Sequence, residues 1–173
     1  MASTYPQAYA KWQADPNGFW AEAAREIDWI RPPQKIFDEK AGVYGRWFPD
    51  ATCNTCWNAV DRHVKAGRGA QTAIIYDSPV TDQKKKISYA ELQTEVATLA
   101  AVLRDLGVGK GDRVIVYMPM IPEAVVGMLA CARIGAVHSV VFGGFAAKEL
   151  ATRLNDARPK LILTASCGIE PGR

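Results

Sequence analysis

The residues that could do chemistry in this chain are few and scattered. The most suggestive group lies late in the sequence. Val137 to Phe142 is a β-branched, apolar run, followed by Gly143-Gly144 and by a segment that reads as a helix start. Strand, glycine turn and helix N-terminus together often hold phosphate, because free backbone amides point at the ligand. The surrounding residues exclude the two best-defined grips. A dinucleotide fingerprint needs G-x-G-x-x-G after the first strand of the unit and an acid after the second. Here the first strand ends Tyr117-Met118-Pro119-Met120, without glycine, and the second ends at Phe142, without a carboxylate. No G-x-x-x-x-G-K-[ST] string exists either. Two readings stay open for the glycine pair: a tight strand-to-helix corner, or a wall where a missing Cβ lets a ligand approach the backbone.

The remaining candidates are weaker. Cys53-x-x-Cys56 has metal-like and redox-like spacing, but no second ligand pair accompanies it, since Cys131 and Cys167 are isolated. It also lacks the preceding sheet of a thioredoxin-type site. Small apolar fillers is the plainer reading of both cysteines. His63 and His138 have no spaced partner that would make a metal pair or a nucleophile–base pair, and both read as structural. Ser166-Cys167 is not a nucleophile elbow. No complete catalytic constellation and no metal-ligand set is present. Arg173 follows Pro171-Gly172 just past a strand end, where α/β sheets bind ligands and where a guanidinium suits phosphate.

These residues sit in an ordinary globular composition of 173 residues, 49% hydrophobic and 23% charged. A net charge of +3 is too mild to indicate nucleic-acid binding. Lys84-Lys85-Lys86, the one like-charge run, reads as a solvated turn. Residues 1–16 lack a long apolar stretch and no later segment is apolar enough to span a membrane. A reducing, cytoplasmic compartment with free thiols is the expectation.

Two regions must position the candidates. All five tryptophans lie in the first third, with helices expected at about Tyr5–Ala14 and Asn17–Glu26, then a looping stretch punctuated by Pro32-Pro33 and Gly45. A helix from Thr55 to about Lys65, ended by Gly67, completes a mostly helical, aromatic-rich cap over 1–67. Its rings either pack on a neighbouring surface or form a partner-binding face. From residue 68 the pattern changes. Thr72–Tyr76 and Lys86–Ile87 read as a hairpin, and Ser88 with Glu91 has capping-box spacing. Leu92, Val96, Leu99, Leu103 and Leu106 then share one helix face. Arg113–Tyr117, Pro122–Ile134, Val137–Phe142, Ala146–Asn155 and Lys160–Thr164 alternate strand and helix. Short joins predict parallel strands with right-handed crossovers, and uninterrupted apolar strands predict a sheet covered on both faces. The fold class is α/β: a helical cap and an incomplete, mainly parallel sheet with covering helices over 68–173. The sheet stops soon after its last strand, so the sequence reads as cut, with an open edge suited to association.

Several stretches together carry a resemblance. N-G-F-W-A-E-A-A, I-D-W, W-F-P-D and N-A-V-D-R-H-V in the first third resemble the N-terminal region of acetyl- and propionyl-CoA synthetases. So do I-S-Y-A-E-L, K-G-D-R-V, Y-M-P-M-I-P-E-A, A-R-I-G-A-V-H-S-V-V-F-G-G-F and S-C-G-I-E-P-G-R, the last closest to the propionyl-CoA branch. The resemblance implies the first part of the large domain of an adenylate-forming, AMP-forming acyl-CoA synthetase, an acid–thiol ligase for propionate or acetate. It implies that Phe142, Gly143 and Gly144 line the path of the CoA pantetheine arm. It also maps the family's R-x-G-R motif for the CoA nucleotide onto Glu170, Pro171, Gly172 and Arg173. Glu170 replaces the first arginine, exchanging a charge-assisted phosphate bond for a repulsive charge. The family's ATP loop, with ATP and Mg binding, and its C-terminal domain have no counterpart in these 173 residues. The chain by itself is therefore expected to be inactive. The competing reading is a stand-alone, non-catalytic module that binds CoA or pairs with another subunit. CoA is the expected partner, with no nucleic acid and no membrane.

Overall fold

The structure, a computed structural model, describes residues 4–144 and 146–169. It divides into two compact units, 1–54 and 55–173.

In the first unit, α1 (Tyr5–Ala14) and α2 (Pro16–Ala23) each carry proline in their first turn, where the missing N–H costs nothing. Asp15 caps α2, its Oδ1 accepting from the Gly18 amide at 2.9 Å. After a 3₁₀ turn at Ala24–Glu26, the chain makes two short antiparallel pairs. β1 (Trp29–Arg31) pairs with β4 (Thr52–Cys53), and β2 (Phe37–Asp38) pairs with β3 (Arg46–Trp47). The expectation of a mostly helical cap thus holds only for its first half. Pro32-Pro33 cannot continue a helix. Cross-strand rings then fasten the short pairs: Phe37 and Trp47 stand 4.6 Å apart, centroid to centroid, and Trp20 meets Trp47 at 5.7 Å. Ala24 is the one fully buried hydrophobic described in this unit.

The second unit opens with a helical stretch over 55–68, wound in wide π turns at Trp57–Asp61 and Val64–Arg68 and broken at Gly67, whose φ is +81°. Sequence reading placed this helix in the cap, with a boundary at 67/68. Its apolar face instead joins the core of the second unit, where Cys56 and Val60 pack with Ile87, Leu92 and Val96. β5 (Thr72–Ser78) and β6 (Gln83–Ser88) form the hairpin, paired from Thr72↔Ser88 to Ser78↔Gln83. The lysine run therefore lies in a strand, not in the turn. Lys84 pairs with Asp77 at 3.1 Å, and the exposed charges guard an edge against further pairing. Ser88 and Glu91 complete the capping box of α3 (Tyr89–Asp105). Leu92, Val96 and Leu103 are buried as their spacing requires, joined by Ala100. Leu106 is exposed, because the chain leaves the helix there through Gly107 at φ +85°.

β7 (Arg113–Met118), β8 (Val137–Phe142) and β9 (Leu161–Thr164) form a parallel sheet in the order β8-β7-β9. The crossovers are α4 (Pro122–Ile134), ended by Gly135 at φ +74°, and α5 (Ala147–Ala157). The chain steps from β7 to β8 on one side and then back past β7 to β9 on the other, a path for which right-handed crossovers call for helices on opposite faces. Val114, Ile115 and Val116 of the central strand are wholly buried. Cover on both faces holds for β7 alone, since Val137, Val140 and Phe142 of β8 and Ile162 of β9 are exposed. His138, expected inside the core, is exposed on that outer strand.

Candidate functional site

The glycine pair follows β8 at the carboxyl end of the sheet, the end at which open α/β sheets bind ligands. Each glycine has a distinct geometric reason. A Cβ on Gly143 would stand 2.9 Å from both the carbonyl carbon and the oxygen of Met118, so two strand ends approach here more closely than a side chain allows. A Cβ on Gly144 would meet the Phe142 ring at 2.7 Å. Gly143 is thus held by its own chain, as the corner reading requires. Gly144 borders a movable side chain. The Phe142 ring is exposed and lines a cavity of about 500 Å³ over the strand ends. Tyr76 and Thr81 of the hairpin, Met120 after β7, and Cys167 and Ile169 after β9 complete its outline.

Of the expected site residues, Phe142 lines this cavity, and Gly143 and Gly144 follow it directly in the chain. Glu170, Pro171, Gly172 and Arg173 lie outside the described residues, as does Phe145. Ile169, the residue just before them, lines the cavity.

The cysteines separate by environment. Cys56 and Cys131 are fully buried, and burial pushes both thiols up from their ordinary value. At Cys56 the neighbouring Arg133 opposes that shift without overcoming it. Cys53 and Cys167 are exposed, so the filler reading fails for Cys53 and holds for Cys56. His63 packs against Tyr89 with the rings tilted by 49° and their centroids 4.9 Å apart, and its Nδ1 lies 3.1 Å from Arg68 Nη1.

Sequence reasoning missed one polar cluster. Asp61, only 6% exposed, accepts from Arg133 Nη1 at 2.9 Å and Nη2 at 2.7 Å, and from Gln93 Nε2 at 2.8 Å. Arg133 Nη1 also reaches Cys56 Sγ at 3.4 Å. Burial works against the charge on Arg133, but the bonds and charge of Asp61 and Cys56 outweigh it and raise its pKa. The cluster ties the 55–68 helix to α3 and α4. Its signal in the sequence was slight: an acid inside an otherwise apolar helix face, and an arginine at the end of a very apolar helix. It borders no cavity described above, and its geometry is that of a fastening.

Comparison with known proteins identifies the class. A family model described as "Acetyl-coenzyme A synthetase N-terminus" matches residues 5–59, and one described as "AMP-binding enzyme" matches residues 60–171. The chain belongs to the AMP-binding enzyme family. It is 58% identical over 167 residues to an uncharacterized protein of Pseudomonas aeruginosa, covering 96% of this chain and 27% of that protein. It is 53% identical over 169 residues to "Acyl-CoA synthetase short-chain family member 3, mitochondrial" of Mus musculus, covering 98% and 25%. With "Acetyl-coenzyme A synthetase" of Streptomyces avermitilis it shares 50% over 172 residues, covering 99% and 26%. The chain spans about a quarter of the length of these curated relatives. Among the described residues no helix is long and apolar enough to cross a membrane.

Proposed function

We propose that this chain is the N-terminal part of an ATP-dependent, AMP-forming acyl-CoA synthetase acting on a short-chain carboxylate, propionate or acetate. The observation that carries the reading is the tiling of the two family matches. They run end to end over residues 5–171, in the order a synthetase N-terminus and an AMP-binding domain require. In the reaction proposed, a carboxylate oxygen attacks the α-phosphorus of ATP and pyrophosphate leaves. The CoA thiolate then attacks the acyl carbonyl and AMP leaves.

The first unit, residues 1–54, serves as the cap in this reading, and the second unit begins the large domain. Phe142 and Gly144 line the CoA path beside the strand-end cavity, with Gly143 holding the corner that sets their position. Glu170, Pro171, Gly172 and Arg173 contact the CoA nucleotide, with the cation at Arg173 alone. ATP and Mg bind elsewhere in the whole synthetase, and the 173 residues by themselves carry out neither half-reaction. Four free cysteines suit a reducing compartment, and we place the protein in the cytoplasm.

The test is product analysis with the native polypeptide, captured from its source cells by an antibody to this segment. Supplied with ATP, Mg²⁺, CoA and either acid, it should form AMP and acyl-CoA in equal amounts. ADP in place of AMP, or no thioester, overturns the reading. A native mass near 18.9 kDa would favour a stand-alone CoA-binding or subunit-pairing module instead.

A further inference from the structure

The hairpin turn over residues 79–82 helps to wall the strand-end cavity, and it carries a hydroxyl without a partner. Thr81 lines the cavity and is half-buried. Its Oγ1 is closed off from solvent and has no hydrogen-bond partner, the one side-chain nitrogen or oxygen of which this is true among the described residues. The backbone beside it is satisfied, because the Thr81 amide donates to Ser78 Oγ at 3.3 Å. A buried hydroxyl left unmet costs the fold more than a made bond returns, and native chains keep few of them without a use. A rotation of about 120° in χ1 exchanges Oγ1 with Cγ2 and needs no backbone movement, so the hydroxyl is available to a ligand in the cavity.

The rest of the lining narrows what that ligand is. Among the described residues Asp77 is the only charged one in the wall, and its carboxylate pairs with Lys84 Nζ at 3.1 Å. An anion finds no cation in this wall, so the fit is to an uncharged stretch of ligand rather than to a phosphate or a carboxylate. Pro119, Met120, Ile121 and Phe142 add apolar surface. Apolar walls with one or two hydrogen-bonding groups suit a thin chain of methylenes interrupted by amides, and the pantetheine arm of CoA is such a chain. A threonine hydroxyl both donates and accepts, so it meets either the N–H or the carbonyl of an amide. We propose that Thr81 is a binding residue for CoA: its hydroxyl turns to the cavity and hydrogen-bonds an amide of the pantetheine arm beside Phe142. The proposal rests on the function proposed above and adds to it a polar contact from the hairpin turn.

The test uses the native whole polypeptide with Thr81→Val, which keeps the shape and removes the hydroxyl, and Thr81→Ser, which keeps the hydroxyl. KM for CoA should rise about two- to tenfold in the valine variant, the worth of one neutral hydrogen bond, and return close to its original value in the serine variant. Carboxylate-dependent exchange of pyrophosphate into ATP, run without CoA, reports the adenylation step alone and should respond far less than KM for CoA. The valine variant should unfold at no lower a urea concentration, since the hydroxyl it loses is unmet in the free protein. An unchanged KM for CoA overturns the proposal. Equal losses in KM and in exchange, or no rescue by serine, mark Thr81 as structural and overturn it too. A clearly lower urea midpoint shows that the hydroxyl is already bonded within the protein, with the same consequence. Should the valine variant not fold, Thr81→Ala removes the same hydroxyl and is read in the same way. The two readings fail separately. An active synthetase whose KM for CoA ignores Thr81 refutes this proposal alone, whereas a native polypeptide without thioester synthesis refutes the function.

Discussion

Replacing Asp61 by alanine probes the fastening between the 55–68 helix and the α/β layer. Asp61 is 6% exposed, and its carboxylate accepts from one guanidinium at 2.7 and 2.9 Å, from Gln93 Nε2 at 2.8 Å and from Cys56 Sγ at 3.9 Å. Breaking a buried ion pair by removing one partner costs about 3–5 kcal/mol, because the surviving charge keeps its desolvation penalty. The Arg133 side chain is 28% exposed, so water recovers part of that cost. Allowing for this screening, Asp61→Ala should lower the unfolding free energy by about 2–3 kcal/mol. Arg133→Met alone leaves Asp61 buried with the Gln93 amide at 2.8 Å and the Cys56 thiol at 3.9 Å, neither of them a cation, and should cost a similar amount. The double variant should cost clearly less than the sum, since neither charge is then stranded. Urea denaturation followed by tryptophan fluorescence reads all three, with Trp57 lying inside the affected helix. Single losses below about 1 kcal/mol that add without coupling would refute the fastening.

The glycine pair should separate by mechanism. Gly143→Ala places a Cβ against Met118 backbone and should cost about 1–3 kcal/mol of stability, read by denaturant midpoint. At Gly144 the atoms nearest an added Cβ belong to the Phe142 ring rather than to backbone, so the larger effect of Gly144→Val should be a higher KM for CoA in the whole synthetase, with less loss of stability than at Gly143. Unchanged CoA affinity would leave Gly144 a purely structural role. The Ser88 bonds hold Glu91 below its ordinary value of 4.5, so its contribution is present above that value and is lost as pH falls through the lowered one. Glu91→Gln should therefore flatten acid destabilisation below pH 4.5, and an unchanged acid limb would contradict this. Cys53 and Cys167 should react with a disulfide reagent at neutral pH in the folded protein. Cys56 and Cys131, buried and with raised pKa, should react only on unfolding.

The α/β layer was legible because its signals are local. Apolar runs of strand length, Ser88 with Glu91, and Pro122 with Gly135 mark ends that the structure reproduces within a residue or two. Contacts distant in sequence left no such mark. Asp61 and Arg133 are 72 residues apart, and nothing in either neighbourhood announces the other. The short strands of the first unit escaped for the same reason: Phe37 and Trp47 stabilise a two-residue pair that propensity alone would not predict. The lysine run misled because charge is as much at home on an exposed edge strand as in a turn. At the candidate site, the sequence left a corner and a ligand wall as two open readings of the glycine pair. Only coordinates could show that Gly143 is occupied by Met118 while Gly144 borders the ring.

The most direct test of the synthetase reading is carboxylate-dependent exchange of labelled pyrophosphate into ATP, measured on the native polypeptide without CoA. Adenylate chemistry predicts exchange that requires propionate or acetate and Mg²⁺, with AMP released when CoA is then added. Exchange that is absent with either acid, in a polypeptide shown to be folded and full length, would contradict it.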